Sequence, residues 1–506
     1  MVFGRGVARD RFADGLLLGG LLGAGALFMF VDREIPPIIV WDESRLAVNA
    51  LEMYQRGWSL VTTYRFVPDL WNTKPPLMIW LMNAAMQAFG PSELALRLPA
   101  MAAALGTLAM VFAFVRHATG SRATASLALV LLATSVGFYG EHGARTADYD
   151  ALLCFFTTAY LAVLFALVHQ PRPGWPMLCA CAALIAAATL TKTIAGVVPG
   201  IGVAAYVVLQ RRPLRDFATP RIAVMLAVAL MPITLFYGVR EFVAPGYIHA
   251  VIYNDAIGRI AAHLELHANP PWYYLHAVFV AGLFSTGPLA LLAPFAVRVA
   301  NGRARQAALF ALCCFGGQLF AVSIMVTKLF QYILPGLPWL AIACAIGVDA
   351  LVRRVPVAAH GRMIPHKDLA LPAVLLLATT VIVIAQSAAI RYDLLWQRAF
   401  YPQARYGEVL SALHKQGVRH VAVIEAGMVM AGETHYAPQL RYYTLIWQQR
   451  GMTIDQLDGV PNRAAGMTIA TCDPDFVSAV LARDGTRIGQ TGCAIARDAV
   501  TVHRAL

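Results

Sequence analysis

Long apolar segments recur along most of this chain, separated by short polar stretches. A helix needs about 20 predominantly apolar residues to cross the hydrocarbon core of a bilayer. Eleven segments have that character. They lie near residues 14–31, 97–116, 123–140, 147–168, 176–191, 194–210, 221–241, 273–298, 306–326, 331–352 and 369–390. The pattern predicts a mostly α-helical, polytopic membrane protein with about eleven transmembrane helices.

The orientation of these segments follows from the basic residues in the short loops. With the N-terminus inside, the inner loops carry most of their charge as Arg5, Arg9, Arg11, Arg116, Arg122, Arg172, Arg211, Arg212, Arg215, Arg221, Arg298, Arg303, Arg305, Arg353, Arg354, Arg362 and Lys367. The same loops hold few acids, and eleven spans then place the C-terminus outside. We interpret the run 14–31 as an uncleaved first helix, because no small-residue cleavage site precedes Asp32.

Composition agrees with a membrane protein. Hydrophobic residues make up 59% of the 506 residues and charged residues only 13%, whereas soluble domains carry about 25% charge. The net charge of +12 does not indicate nucleic-acid binding, because many of the basic residues lie in loops next to apolar segments.

The stretch from Trp41 to Arg97 is the most unusual loop. It begins with Asp42 and Glu43, and apolar residues then recur at helical spacing, which predicts a helix lying along the membrane surface. Asn72-Thr73-Lys74-Pro75-Pro76 ends this part, and a second amphipathic segment, 78–89, follows.

Four further polar clusters fall on the same outer face in this topology. The five clusters are Asp42–Arg97, Glu141–Asp150, Thr191–Thr193, Glu241–Trp272 and Thr327–Tyr332. Five loops on one side of the membrane are what an extracytoplasmic active site requires.

The tail from Arg391 to the end has a different pattern. Residues 421–424 and 467–470 are predicted strands, and residues 411–416 and 476–483 are predicted helices, which together fit a small α/β domain. Cys472 and Cys493 lie in this tail, where an oxidising compartment favours a disulfide between them. Neither cysteine has a CxxC partner, which argues against a zinc site.

Three motifs in the loop 41–97 carry a resemblance to a known family. D-E-x-R-x-x-x-x-A-x-E-M, K-P-P-L-x-x-W and F-G-x-x-E-x-x-x-R-L-P together resemble the first periplasmic loop of the integral-membrane GT-C glycosyltransferases. The most similar branch contains the aminoarabinose transferases of lipid A and bacterial relatives of the protein O-mannosyltransferases. The resemblance covers roughly residues 10–390.

The resemblance implies a GT-C catalytic domain over 1–390, with periplasmic loops 32–96 and 242–272, juxtamembrane helices and a periplasmic domain over 391–506. It also implies transfer of a sugar from a polyprenyl phosphate, such as undecaprenyl phosphate, to a lipid A-like lipid, a glycan or a protein, with inversion at the anomeric carbon. The expected location is the bacterial inner membrane. No Rossmann or P-loop motif indicates a nucleotide donor.

Two acids match the acidic residues of the family. Asp42 is the implied general base, and Asp148, or Asp150 in its place, is the second acid. Other interpretations remain open: Asp42 as a helix N-cap, and Asp148 as an interfacial anchor beside Arg145. The residues expected to contact the acceptor, or to support the residues that contact it, are Glu43, Arg45, Glu93 and Arg145.

A basic set is implied to bind the donor phosphate: Lys74, Lys192, Arg259, Lys328 and Tyr332. Single lysines at a membrane boundary also extend to the interface without any ligand. Family members usually carry Lys-Gly where this chain has Lys192-Thr193. The segment K-L-F-Q-Y-I-L-P resembles the late family motif that contains Y-x-L-P.

His263 and His267 have the i, i+4 spacing of metal ligands, with Glu265 between them. An HxxxH pair without a third ligand is usually not a metal site. A divalent ion nevertheless stays open as a cofactor. Asp42 and Asp148 are a second pair of residues that could bind it. A flippase of lipid-linked sugars is the main alternative function. Such a transporter needs polar residues within the spans and usually a repeat, and neither stands out here.

Overall fold

The computed structural model describes residues 2–30, 38, 41–213, 217, 219–257, 269–279, 290–291, 293–352, 358–359, 362–363, 405–430, 433–461, 467–482, 485–487 and 492–497. The chain forms two compact units. The first, the membrane unit, comprises Met1–Val31, Thr73–Met78 and Arg97–Ala389. The second, the loop–tail unit, comprises Asp32–Asn72, Ile79–Leu96 and Ile390–Leu506. Most of the first loop thus groups with the tail.

The membrane unit is helical. Its α-helices are Val2–Phe30, Glu93–Thr119, Arg122–Ala133, Val136–Tyr139, Tyr149–Val168, Trp175–Lys192, Gly200–Leu209, Pro220–Val243, Tyr247–Val251, Tyr273–Phe279, Ala293–Val299, Gly302–Ser323 and Leu337–Val352. Two 3-10 helices, Thr193–Gly196 and Phe330–Gly336, and one π-helix, Ile252–Ile257, connect them, and a short hairpin pairs Ala358–Ala359 with Arg362–Met363.

Six helices in the described part of the chain are long and apolar enough to cross a membrane. They are Glu93–Thr119, Tyr149–Val168, Trp175–Gly196, Pro220–Val243, Gly302–Ser323 and Phe330–Val352. The predicted segment 123–140 is divided at Thr134 and Ser135, and the two short segments 176–191 and 194–210 share the turn Thr193–Gly196. The predicted segment 369–390 lies outside the described residues. The membrane class is confirmed, and the count of eleven stays a prediction.

Burial separates the helices into central and peripheral ones. Only 17% of the most apolar window in Pro220–Val243 is buried, against 89% in Phe330–Val352. The exposed side chains of the former include Leu226, Leu230 and Leu235. An exposed apolar surface of this kind suits contact with lipid, whereas the helix 337–352 forms part of the interior.

Two glycines allow helices Gly200–Leu209 and Gly302–Ser323 to touch through their backbones. A Cβ atom on Gly202 would lie 2.4 Å from the Cα atom of Cys314, and one on Gly317 would lie 2.6 Å from the backbone nitrogen of Gly202. Small residues at such crossings are the usual device for close helix packing in membranes, because association there depends on van der Waals contact.

The loop–tail unit is mixed α/β. Its helices are Asp42–Arg56, Leu77–Phe89, Tyr406–Lys415, Pro438–Gln449 and Pro474–Leu481. A five-stranded sheet has the order Thr486–Arg487, Ala494–Arg497, Thr468–Thr471, His420–Ile424 and Thr453–Leu457. His420–Ile424 runs parallel to both of its neighbours, and the other two pairings are antiparallel. Two small hairpins pair Thr63–Tyr64 with Val67–Pro68 and Met428–Met430 with Glu433–Tyr436.

The predicted tail elements are present. Both predicted strands and both predicted helices occur within a few residues of their expected bounds. A core of Ile424, Ile469, Val480 and Ala494 holds the sheet to helix Pro474–Leu481. Cys472 and Cys493 form a disulfide, the pairing expected for an exported tail.

The helix Asp42–Arg56 matches the predicted surface helix and buries Leu46, Ala50 and Met53. The interpretation of Asp42 as an N-cap is wrong. Asp42 is the first helical residue, and the preceding Trp41 has the cap position with φ 85°. A positive φ is costly for a bulky residue, so the backbone just before Asp42 is strained.

Helix Pro438–Gln449 packs against this loop helix through a buried charge. Glu52 is fully buried, and its Oε1 accepts a hydrogen bond from Arg441 Nη2 at 3.2 Å. Its Oε2 accepts from Thr63 Oγ1 and from the backbone nitrogen of Phe66, both at 2.8 Å. The rings of Tyr64 and Tyr436 are 4.4 Å apart between centroids. A carboxylate with three donors is adequately satisfied for a buried site, and it fixes the tail to the loop.

Glu425 makes the tail sensitive to pH. It follows strand His420–Ile424, is buried, and accepts a hydrogen bond from the Tyr406 hydroxyl. Burial raises its pKa from 4.5 to about 7; the Tyr406 hydrogen bond opposes this shift and nearby Asp473 adds to it. Because the native state favours the protonated acid, this contribution is complete below pH 4.5 and is lost as pH rises through about 7.

We therefore expect the opening free energy of strand His420–Ile424 to fall by about 3 kcal/mol at most between pH 5 and pH 8. Glu425→Gln should abolish most of this dependence, since an amide oxygen still accepts from Tyr406. Hydrogen exchange of this strand in the full chain, read by mass spectrometry after correction for intrinsic exchange, is the measurement. Equal pH dependence in wild type and variant would contradict the prediction.

Candidate functional site

Asp148 and His142 form an acid–imidazole pair in the membrane unit. Asp148 Oδ2 contacts His142 Nδ1, and Asp148 Oδ1 accepts from the backbone nitrogen of Tyr149 at 2.6 Å. Asp148 is thus the N-cap of helix Tyr149–Val168. Burial by itself raises the pKa of Asp148, but the charge and hydrogen bond of His142 outweigh it, and the pKa falls to about 2. The interpretation of Asp148 as a mere anchor beside Arg145 does not account for this pairing.

The loop that presents His142 is tightly turned. A Cβ atom on Gly143 would lie 2.3 Å from the carbonyl oxygen of Phe138, so only glycine fits there. His142 itself has φ 58°, and its ring packs edge-on against Phe330 with centroids 5.5 Å apart. Backbone strain of this kind persists only where the surroundings over-determine the conformation, and it is frequent at functional sites.

Asp150 and Lys192 form a second pair, between the first turn of helix Tyr149–Val168 and the end of helix Trp175–Lys192. Lys192 Nζ donates to both carboxylate oxygens of Asp150 at 2.7 Å. The side chain of Asp150 is 2% exposed and that of Lys192 is 14% exposed. The ammonium also lies 5.8 Å from the ring centroid of Tyr332, so Lys192 is bound inside the site and the simple interfacial interpretation is wrong for it.

The backbone at the residue after Lys192 explains why the family pattern has glycine at this position. Thr193 has φ 49° and ψ −123°, a region that glycine adopts freely and that a β-branched residue strongly disfavours. Nearby, a Cβ atom on Gly196 would lie 2.6 Å from the carbonyl carbon of Ala188. This chain therefore carries a strained threonine where the turn is built for glycine.

Thr193→Gly should stabilise the membrane unit by about 1 kcal/mol, because removal of roughly 1–3 kcal/mol of strain exceeds the added chain entropy. Thr193→Ala is the matched control, since it loses the hydroxyl and the branch but keeps the Cβ atom. Thermal unfolding in one detergent measures both variants. If the alanine variant gains as much as the glycine variant, backbone strain is not the cause.

Lys74 joins the site from the first loop. Its Nζ contacts Asp255 Oδ1 and donates to Thr73 Oγ1 at 3.0 Å, while Thr73 Oγ1 donates to Asp255 Oδ2 at 2.7 Å. Both charged side chains are 17% exposed. The hydroxyl of Tyr247 donates to the backbone oxygen of Thr73 at 2.7 Å and so holds this segment in place.

Tyr247, which donates to Thr73, is itself packed between an aromatic ring and a guanidinium. Its ring stacks on Tyr237 with centroids 5.8 Å apart, and the guanidinium of Arg240 lies 4.6 Å from its centroid. Burial raises the pKa of Tyr247; neighbouring Tyr237 raises it further, Arg240 lowers it, and Tyr149 and Asp255 also raise it.

Residues from the five predicted polar clusters form two groups in the membrane unit. Lys74 and Asp255 join the first and fourth clusters, and Lys192 joins the second, third and fifth through Asp150 and Tyr332. The remaining predicted phosphate ligand that can be described is Lys328, which is buried and donates to the carbonyl of Met325. Arg145 is buried in the loop beside Asp148. Arg259, His263 and His267 lie outside the described residues, so their roles, including the metal prediction, stay predictions.

Four predicted residues belong to the loop–tail unit. Asp42 and Arg45 form an ion pair at 3.5 Å, and the guanidinium of Arg45 lies 5.5 Å from the ring centroid of Trp71. Glu43 is buried in the same helix, and Glu93 accepts a hydrogen bond from the Tyr443 hydroxyl at 3.0 Å. The catalytic role of Asp42 stays a prediction.

Sequence reasoning missed three residues: His142, Asp255 and Thr73. Their roles depend on partners brought close by folding, and Asp255 lies 181 residues from Lys74 in the chain. Two of them had a sequence signal. His142 is a polar residue beside a glycine in a short loop, and Thr73 carries a hydroxyl next to the predicted phosphate ligand Lys74.

The fold and this set of acids and bases define a polytopic membrane protein with the GT-C architecture. The structure aligns with the crystal structure of ArnT from Cupriavidus metallidurans bound to undecaprenyl phosphate, with a TM-score of 0.68 and 15% sequence identity over 95% of this chain and 97% of that one. The same protein in the apo state gives a TM-score of 0.67. These matches establish the fold.

Sequence comparisons identify the same relatives. Residues 73–237 match the family described as dolichyl-phosphate-mannose-protein mannosyltransferase. A Shewanella sediminis protein named undecaprenyl phosphate-alpha-4-amino-4-deoxy-L-arabinose arabinosyl transferase is 31% identical over 61% of this chain and 55% of its own length. A protein of the same name from Aeromonas hydrophila is 28% identical over 64% of this chain and 59% of its own length. The resemblance found in the loop motifs is confirmed, and the chain spans a little over half the length of these relatives.

Proposed function

We propose that this protein is a glycosyltransferase of the bacterial inner membrane that moves a sugar from a polyprenyl phosphate to an acceptor on the periplasmic face. The observation that carries the proposal is a set of charged pairs between separate polar loops of the membrane unit. Lys74 pairs with Asp255, and Lys192 pairs with Asp150 two residues after the Asp148–His142 pair. The ArnT fold and the names of the sequence relatives support this assignment.

The donor supplies both the sugar and the driving force. An acceptor oxygen attacks the anomeric carbon, the bond from that carbon to the phosphate oxygen breaks, and the electron pair leaves with the phosphate. A direct displacement of this kind inverts the anomeric centre. Lys74 and Lys192 are the described cations that would stabilise the charge developing on the leaving phosphate, with Lys328, Tyr332 and Arg259 as further candidates.

The acceptor determines whether a base is needed. A hydroxyl acceptor must lose its proton, and a carboxylate or imidazole within hydrogen-bond reach can take it. Asp42 is the base implied by the family resemblance. Asp148 contacts His142 in the arrangement common to base–orienter pairs, and the imidazole takes a proton only in its neutral form. A lipid A phosphate as acceptor would need no base, whereas a lipid, glycan or protein hydroxyl would.

The test uses the full chain in nanodiscs with a radiolabelled polyprenyl-phosphate sugar and acceptor lipids, glycans and peptides in parallel. Wild type should transfer label to one acceptor class. Where that acceptor reacts through a hydroxyl, Asp42→Asn should reduce transfer by about 10²-fold or more. Parallel reactions with and without a chelator test the divalent-ion prediction. Translocation of the donor without transfer would instead identify a flippase, and full activity of Asp42→Asn would remove that residue as base.

Mass spectrometry of lipid A, envelope glycans and exported proteins from a deletion strain identifies the sugar. One missing modification is the expected result. An unchanged envelope would argue against the proposed transferase.

A further inference from the structure

Thr73 and Lys74 hold the carboxylate of Asp255 between two donors. The ammonium of Lys74 contacts one carboxylate oxygen, and the hydroxyl of Thr73 donates to the other at 2.7 Å. The two donors are themselves joined at 3.0 Å. Two adjacent donors on the two oxygens of one anion are the arrangement by which proteins also bind phosphate.

We infer that Thr73 and Lys74 form one oxyanion site for the phosphate of the donor lipid, and that Asp255 occupies this site until the donor displaces it. The inference rests on the proposed function, because it takes the ligand to be a polyprenyl phosphate. It adds a second ligand, Thr73, and an internal competitor, Asp255.

Thr73 and Lys74, the two hydrogen-bond donors of this site, are held rigidly. Tyr247 donates to the backbone oxygen of Thr73 at 2.7 Å, and its own ring is fixed by Tyr237 and Arg240. Pro75 and Pro76 follow directly and restrict the backbone after Lys74. The site therefore keeps its shape when the anion changes, which lowers the cost of binding.

Asp255, which accepts both hydrogen bonds, lies on a segment that can move. Asp255 lies on the single π-helical turn Ile252–Ile257, which follows a helix of only five residues. A single π-helical turn is a rare element and is frequent at functional sites. A small change in this turn withdraws the carboxylate while Thr73 and Lys74 stay in place.

The internal anion reduces the apparent affinity for the donor. A ligand that binds only the fraction of molecules with an open site has its affinity lowered by that fraction. The exchange also prevents Lys74 from being left as an unpaired cation at the membrane boundary when no donor is bound, a state that partial burial disfavours.

The experiment measures binding of undecaprenyl phosphate to the full chain in nanodiscs by native mass spectrometry, without any sugar transfer. Asp255→Asn should bind about fivefold to tenfold more tightly than wild type, because the competing charge is gone. If Asp255 merely positions Lys74, the same variant should bind more weakly. The sign of the change separates the two roles.

A control removes one negative charge elsewhere in the same predicted polar cluster, at Glu241 in helix Pro220–Val243. Glu241 accepts from the backbone nitrogens of Gly246 at 2.9 Å and Ile248 at 2.7 Å and has no contact with Lys74. Glu241→Gln should leave affinity within about twofold of wild type. An equal gain in Glu241→Gln and Asp255→Asn would show a general charge effect and overturn the inference.

Substitutions at Thr73 test the second ligand. Thr73→Val keeps the shape and removes the hydroxyl, and should weaken binding about fivefold or more, whereas Thr73→Ser should bind like wild type. Equal binding by the valine and serine variants would remove Thr73 from the site. Failure of wild type to bind undecaprenyl phosphate at all would count against the proposed function, while binding that Asp255→Asn does not tighten would overturn the inference alone.

Discussion

Asp148→Asn is expected to reduce sugar transfer by about 10²- to 10⁴-fold while leaving the fold intact. Asparagine serves as an N-cap as well as aspartate does, so helix Tyr149–Val168 keeps its capping bond. What is lost is the negative charge that holds His142 through its Nδ1 atom. The measurement is the initial rate of label transfer in nanodiscs, with thermal unfolding of the same sample as the check on folding.

The control for this variant is the same substitution at another N-cap. Asp473 caps helix Pro474–Leu481 in the tail through the backbone nitrogen of Asp475, and Asp473→Asn should transfer sugar normally. His142→Gln should be as impaired as Asp148→Asn, and the double variant no worse than either, because residues that act as a unit are not additive. Near-wild-type transfer by Asp148→Asn would exclude Asp148 from the chemistry.

Lys192→Met is expected to destabilise the membrane unit by about 3–5 kcal/mol, because it leaves the almost fully buried Asp150 without its partner. Lys192→Met/Asp150→Leu should recover most of that stability, since replacement of both charges by apolar groups removes the unpaired carboxylate. Neither variant should transfer sugar, because the cation that we propose stabilises the leaving phosphate is gone in both.

This pair of variants separates folding from chemistry. Thermal unfolding and transfer are measured on the same preparations. A stable and active double variant would show that the Lys192–Asp150 pair is structural only. If the single variant is as stable as wild type, the ammonium is not an important partner of Asp150.

Periodic features could be predicted from the sequence, and features made by distant contacts could not. The spacing of Leu46, Ala50 and Met53 was sufficient for helix Asp42–Arg56, because a helix places such residues on one face. The grouping of that helix with the tail had no sequence signal, since it depends on the contact of Glu52 with Arg441, 389 residues away.

The candidate site shows the same division. Asp148 and Lys192 were found because they lie in short polar stretches next to apolar segments. The pairing of Asp148 with His142 depends on the reversal of the chain at Gly143, which only the folded loop shows. The preference for glycine after Lys192 came from the family pattern, and its cause, φ 49° at Thr193, required the backbone.

The Glu52–Arg441 contact has a consequence for biogenesis. Ribosomes add about 5–20 residues per second, so the 389 residues between these partners take roughly 20–80 s to synthesise. During that interval the loop carries an acid destined for a dry interior and lacks its cation. Helix Asp42–Arg56 can therefore complete its packing only after helix Pro438–Gln449 has been synthesised, and a chaperone has a defined interval in which to shield it.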